Sequence, residues 1–265
     1  MNEEAVYAEQ LGDVEDLLED PKTNNREIIL SHALEVFVDC STQPAFAQAM
    51  RGRPVLLRHI LDGLDGPLAC KVLLLLVNLS GDPRLARTLL PLGLVDRLMR
   101  CMLTAVRQLP AAGPGIQPSL LVENEHSDSI FELQLSNARI STADRLVFDL
   151  CERVRMGLLV VSNLCSVAVE ARRAVVGQPP HEFSTLLIFA EWLCRRETLS
   201  LVQHLPFLLL SLAAQSELRE RMAAACGEVL GKALRADTGL DVKGQLALWG
   251  VVRNLAYEQE SAVVW

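Results

Sequence analysis

Three segments of this chain share one pattern, an apolar run that ends in Asn, Leu and a small residue, and such a repeat restricts a fold more than any local propensity. They are Leu74-Leu75-Leu76-Val77-Asn78-Leu79-Ser80, Leu159-Val160-Val161-Ser162-Asn163-Leu164-Cys165 and Gly250-Val251-Val252-Arg253-Asn254-Leu255-Ala256. Two further segments fit the same frame, Phe37-Val38-Asp39-Cys40-Ser41 and Leu209-Leu210-Ser211-Leu212-Ala213, with Asp39 and Ser211 in the Asn place. The frame positions 39, 78, 163, 211 and 254 are 39, 85, 48 and 43 residues apart, so the long gap reads as two units whose middle copy has decayed around an insertion.

Local signals around each copy are helical. Ser80-Gly81-Asp82-Pro83 puts a capping side chain before a proline that fits the first helical turn, so one helix stops and another starts there. Leu85, Thr88, Leu89 and Leu92 follow at helical spacing, and Gly93 is placed to end that helix, with Gly52, Gly177 and Gly227 in comparable places after other copies. A base stands nine positions after the Asn at Arg87 and Arg172, where the next helix is expected to open. Val and Ile recur at 3.6-residue spacing and no run alternates polar with apolar. A period of about 40 to 47 residues is that of armadillo and HEAT units, so the expected fold is all-α. It is a right-handed α-solenoid of armadillo/HEAT-like repeats, one domain over residues 1–265. The stretch 108–143 interrupts it: Pro110, Gly113, Pro114, Gly115 and Pro118 stop helix formation, and Glu123, Glu125, Asp128 and Glu132 follow against Arg139. It reads as an irregular inserted loop.

Half of the residues are hydrophobic, enough over 265 positions to bury a large core. The formal charge of −8 comes from the first twenty residues, which hold eight acids and no base; the rest balances at 25 acids and 25 bases. That run reads as the solvated face of a first helix whose apolar side is Val6, Leu11, Val14, Leu17 and Leu18. An acidic balance argues against nucleic acid and against anionic membrane as partners. The uncharged stretch Thr198 to Ser216 contains Gln203, His204 and Pro206, which makes it two buried helical pieces rather than a membrane span. The acidic N-terminus lacks the basic region of a signal peptide, and the seven Cys are scattered among Leu, Val and Ala with no Cys-x-x-Cys pair. A reducing, cytoplasmic location is expected, in which the sequon at Asn78-Leu79-Ser80 is accidental.

No Gly-rich phosphate loop, His-Glu-x-x-His or Gly-x-Ser-x-Gly element occurs, and His32, His59, His126, His181 and His204 have no ligand spacing. Neither catalysis, metal nor cofactor is expected. What stands out is amides within apolar helices. A buried Asn must find hydrogen-bond partners, either on a neighbouring helix or on the main chain of a bound segment. Asn78, Asn163, Arg253 and Asn254 are accordingly the candidate protein-binding residues.

Val77-Asn78-Leu79-Ser80-Gly81-Asp82-Pro83 and Leu248-Trp249-Gly250-Val251-Val252-Arg253-Asn254-Leu255-Ala256 resemble the armadillo repeat, whose third helix ends in this way and lines a concave groove. Importin-alpha has a Trp four positions before that Asn; here Trp249 stands five before Asn254, and Leu74 and Leu159 hold the place in the other copies. A narrower resemblance rests on Leu89-Leu90-Pro91-Leu92-Gly93-Leu94-Val95-Asp96-Arg97-Leu98, on Glu170-Ala171-Arg172-Arg173 after Asn163, and on Trp265. It is to the armadillo-like chaperone family that assists translation elongation factor 2. It implies a cytosolic, non-catalytic adaptor that recognises the incompletely folded factor and cooperates with the cytosolic chaperonin. A general scaffold for extended peptides is the alternative reading, and an enzyme on a helical scaffold is disfavoured. A solenoid normally ends on a polar cap, whereas Ala262-Val263-Val264-Trp265 are apolar, so the expectation is a fragment or a covered end. Excision of residues 108–143 is expected to leave the melting temperature within a few degrees by calorimetry, since loop length costs little entropy. Loss of the cooperative transition would contradict the loop reading.

Overall fold

The computed structural model describes residues 2–109, 142–177, 180–195, 198–235 and 238–256. Among them the chain is all-helical with no strand. It opens with α1 (Glu3–Glu19), α2 (Arg26–Cys40), α3 (Pro44–Arg51), α4 (Pro54–Asp62), α5 (Ala69–Leu79), α6 (Pro83–Leu89) and α7 (Leu94–Gln108). It continues with α8 (Thr142–Val167), α9 (Val169–Gly177), α10 (Pro180–Leu193), the single turn α11 (Leu199–Val202), α12 (Leu205–Ala213), α13 (Ser216–Arg235) and α14 (Val242–Ala256). None of the described helices is long and apolar enough to cross a membrane.

The punctuation read from sequence has its physical counterparts here. The Asp82 carboxylate accepts the N–H groups of Arg84 (2.7 Å) and Leu85 (3.1 Å), which caps α6 with Pro83 in its first turn. A short 3-10 turn at Leu90–Leu92 then ends at Gly93, whose φ of +75° lies in the left-handed region that favours glycine. Gly52 follows α3 and Gly177 closes α9, but Gly227 lies buried inside α13, where Val229, Leu230 and Ala233 carry the buried face onward and the helix does not stop. The Thr198–Ser216 stretch breaks at Gln203 and His204, with Pro206 in the first turn of α12. Helices after a frame position start five to six residues later, at Pro44, Pro83, Val169 and Ser216, so Arg87 and Arg172 sit within α6 and α9 rather than at their openings. Gln108 ends α7 and Thr142 starts α8, so helix reaches into both edges of the expected 108–143 loop; residues 110–141 lie outside the described residues, as do 257–265.

In α1, Leu11 and Leu18 are buried and Val6 and Val14 partly so, whereas Leu17 is exposed and leaves the expected apolar face. One acid of the run is not solvated: Glu15 is buried against Arg53 at 3.3 Å, and Arg53 Nη2 also donates to the Ala8 carbonyl at 2.7 Å. All seven cysteines are free thiols. Burial pushes Cys101, Cys151 and Cys226 up to about 11 and Cys165 up to about 12, so these thiols stay protonated at neutral pH and pack as small apolar groups.

The frame positions fall on α2, α5, α8, α12 and α14, and these five helices pack in succession, α2 on α5, α5 on α8, α8 on α12, α12 on α14. Among the described residues α5 packs directly on α8, with no further frame helix between them; residues 110–141, where the middle copy was expected, lie outside the described residues. The remaining helices flank this row, α1 on α2 to α4, α3 on α6, α7 on α8 and α9, and α13 on α9, α10, α12 and α14.

Burial follows the frame. The residue three before the frame position is buried at Leu75, Val160, Leu208 and Val251 but 58% exposed at Val36, on the first helix of the row. The residue five before is buried at Leu34, Leu73, Leu158 and Pro206 but 59% exposed at Trp249, on the last. Position minus three therefore looks back to the preceding frame helix, and position minus five looks ahead to the next. Polar contacts agree with this assignment: Lys71, seven before Asn78, reaches back from α5 to Ser31 (2.9 Å) and Glu35 (2.6 Å) on α2, while Cys70 reaches forward to the Asp149 carbonyl of α8 at 3.6 Å. Leu158→Ala, which opens a cavity between two frame helices, is expected to cost about 2–5 kcal/mol in urea unfolding, and Trp249→Ala within about 1 kcal/mol. Equal losses would contradict the frame.

Candidate protein-binding surface

The first two frame asparagines are joined to the helix behind them by the same relay. Asn78 Nδ2 donates to Ser41 Oγ at 2.7 Å, and that hydroxyl donates to the Val38 carbonyl at 2.6 Å. Asn163 Nδ2 donates to Ser80 Oγ at 3.0 Å and lies 3.4 Å from the Val77 carbonyl, to which Ser80 Oγ donates at 3.2 Å. Ser41 and Ser80 each stand two residues after a frame position, at the C-cap of α2 and α5, where the last carbonyls of a helix lack intrahelical donors. The amide, hydroxyl and carbonyl thus close the end of one helix against the flank of the next. Of the two routes open to an interior amide, these two side chains take the neighbouring helix.

Further along the row the relay changes. Cys165 and Ala213 hold the Ser place, and neither offers a hydroxyl. A guanidinium takes over: Arg172 Nε donates to the Cys165 carbonyl, and Arg219 Nε donates to the Ala213 carbonyl at 2.9 Å. Both are charged donors at a helix C-terminus, where a cation is favoured. Arg87, at the matching place in the earlier unit, makes no such contact; it lines an open cleft of about 440 Å³ with Leu90, Pro91, Asp96 and Glu170. That cleft includes none of Asn78, Asn163, Arg253 and Asn254.

The helix end at the matching place before Asn254, at Ala213, thus offers no hydroxyl. The Asn254 side chain makes no hydrogen bond among the described residues, and it is half-buried beside the exposed Arg253. Gly250, one turn earlier, lets α14 close on α12, since a Cβ there would come within 2.9 Å of Leu210 Cδ1. The opposite side of α14 carries Val242, Leu246 and Trp249, all exposed, with Phe207 exposed on α12. The four candidate residues therefore divide. Asn78 and Asn163 are joined to their own fold, whereas Arg253 and Asn254 sit with open hydrogen-bonding groups on the last helix of the row. Among the described residues no three His, Cys, Asp or Glu side chains gather as a metal site. His204, at the start of α12, contacts Gln203 at 3.3 Å, and burial, then the charge of Arg155, lowers its pKa, which leaves the ring neutral at pH 7.

Sequence reasoning had the frame but not the relay partners, although Asp39-Cys40-Ser41 and Asn78-Leu79-Ser80 both put Ser two residues after the frame position. It also placed no weight on Val242 and Leu246, whose spacing with Trp249 puts them on one side of a helix. In a double-mutant cycle, Asn163→Ala and Ser80→Ala are expected to couple by about 0.5–1.5 kcal/mol, as one buried relay predicts, and strict additivity would contradict it. No protein-family model matches this chain, and no curated protein matches it at a significant level.

Proposed function

We propose that the chain is a right-handed α-solenoid of armadillo/HEAT type that holds a protein client and catalyses nothing. What supports the solenoid is the succession α2, α5, α8, α12 and α14, with two buried positions repeated in frame. Such an array offers extended surface rather than a closed pocket. The observation that carries the client reading is the pair Arg253 and Asn254, whose side chains make no hydrogen bond among the described residues, with Arg253 one turn after the exposed Trp249 on the same side of α14. Arg and Trp are the side chains that most often dominate protein interfaces, and an Asn amide reads the main chain of an extended segment.

The client that the sequence resemblance points to is translation elongation factor 2, and the role is that of a cytoplasmic chaperone adaptor working with the cytosolic chaperonin. The balanced charge of residues 21–265 and the acidic first twenty fit a protein partner better than nucleic acid or an anionic membrane. A general scaffold for extended peptides would use the same surface and differ only in its client.

The test is capture of incompletely folded elongation factor 2 by the immobilised chain. The wild type is expected to bind, and Arg253→Ala with Asn254→Ala to weaken binding by tens-fold, as loss of about 2 kcal/mol at a hot spot implies, while circular dichroism is unchanged. A folded double variant that captures the factor at wild-type affinity would move the site, and a wild type that fails to capture it would leave the general scaffold.

A further inference from the structure

The row of frame helices has two unlike ends, and each displays half of a contact that the chain makes four times internally. On the helices inside the row, α5, α8 and α12, positions minus five and minus three are both buried, whereas α2 buries only the first of them and α14 only the second. On α14 the forward-looking residue is Trp249, accompanied by Leu246 and Val242 on the same side, all exposed. On α2 the backward-looking residue is Val36, accompanied by Ile28, both exposed. Nothing among the described residues covers either set.

We propose that a second copy of this chain docks there, the α2 face of one copy packing on the α14 face of the other and continuing the row across the junction. The occupant is specified by continuity, because α2 presents the apolar position that every helix following another in the row presents. Charge agrees with geometry. The α14 end exposes Lys243 and Arg253, whereas α2 exposes Glu27 and Asp39, next to the acidic α1. Inside the chain, the frame residue of one helix approaches the residue just before the frame position of the helix behind it, as Asn163 approaches the Val77 carbonyl. Across the junction those two places hold Asp39 and Arg253. A carboxylate there cannot donate to a serine or a carbonyl as Asn78 and Asn163 do, but it accepts from a guanidinium. The contact is head-to-tail, so one pairing leaves a free end on each copy and further copies can add. A client held at Arg253 competes with the second copy for the same face, but the stacking proposal rests on the frame and not on the client's identity.

Sedimentation velocity of the full 265-residue chain tests it. The average mass is expected to rise with concentration. Val36→Glu and Trp249→Glu change exposed positions and are expected to keep the wild-type circular dichroism. Each alone is expected to stay monomeric, with the dissociation constant raised by at least about tenfold. A mixture of the two is expected to form a dimer and stop, because Val36→Glu retains a sound α14 face and Trp249→Glu a sound α2 face. A wild type that is monomeric at all concentrations, self-association that survives in either variant, or a mixture that stays monomeric would each overturn the proposal. Association that emerges only when residues 257–265 are removed would also overturn it, by showing that those residues occupy the α14 face.

Discussion

A helix packed between two others must bury two sides at once, and that requirement organises this chain. It explains why α5 and α12 are apolar almost all round: Ala69, Val72, Leu73, Leu75, Leu76 and Leu79 are buried on one, and Leu205, Pro206, Leu208, Leu209, Leu212 and Ala213 on the other. A flanking helix has a single core-facing side, and α7 buries Leu94, Val95, Leu98, Met99, Cys101, Met102 and Ala105 while Arg100 and Arg107 are exposed. Where no second frame neighbour lies among the described residues, the same frame positions are exposed, as Val36 and Trp249 show.

Apolar burial alone would let neighbouring helices slide by a turn. Polar contacts set the register. Lys71 joins α5 to Ser31 and Glu35 on α2, and its bond and charge draw the Glu35 carboxyl below the usual range. Arg97 joins α7 to Asp62 at 2.6 Å, and Arg173 joins α9 to Glu217 at 2.8 Å. Partly exposed pairs of this kind contribute at most about 1 kcal/mol each, so their part is alignment more than stability. The Asn–Ser relay adds direction, since an amide, a hydroxyl and a carbonyl must meet in one order. Its replacement by Arg172 and Arg219 further on keeps the helix ends capped but releases Asn254 from that duty.

Much of this was legible before any coordinates. The repeat frame located all five successive helices, because Asn-Leu-small at the end of an apolar run is spaced by the repeat and not by chance. Asp82-Pro83 and Gly93 marked helix boundaries because capping and a left-handed φ demand particular side chains. Gly227 misled because a glycine marks a stop only when the residues after it cease to be buried. Leu17 misled for a related reason, since helical spacing shows which residues share a face but not how wide the covered part is. Across the 85-residue gap, arithmetic on sequence cannot see that α5 and α8 touch. The division of the candidate site was illegible for the same cause: whether an Asn is engaged depends on a serine in another helix, 37 residues away for Asn78 and 83 for Asn163.

The proposed function depends on the row being extended, because an extended row presents side chains in series while a closed bundle would hide them. The direct measurement is the distance between its ends. Spin labels carried by encoded non-cysteine residues in place of His32 on α2 and Lys243 on α14, both exposed, span four helix-to-helix steps. At roughly 9 Å per step the solenoid predicts a pulsed dipolar distance of roughly 35 Å in dilute protein. A distribution centred below roughly 20 Å would mean that the row folds back on itself, and would contradict the account.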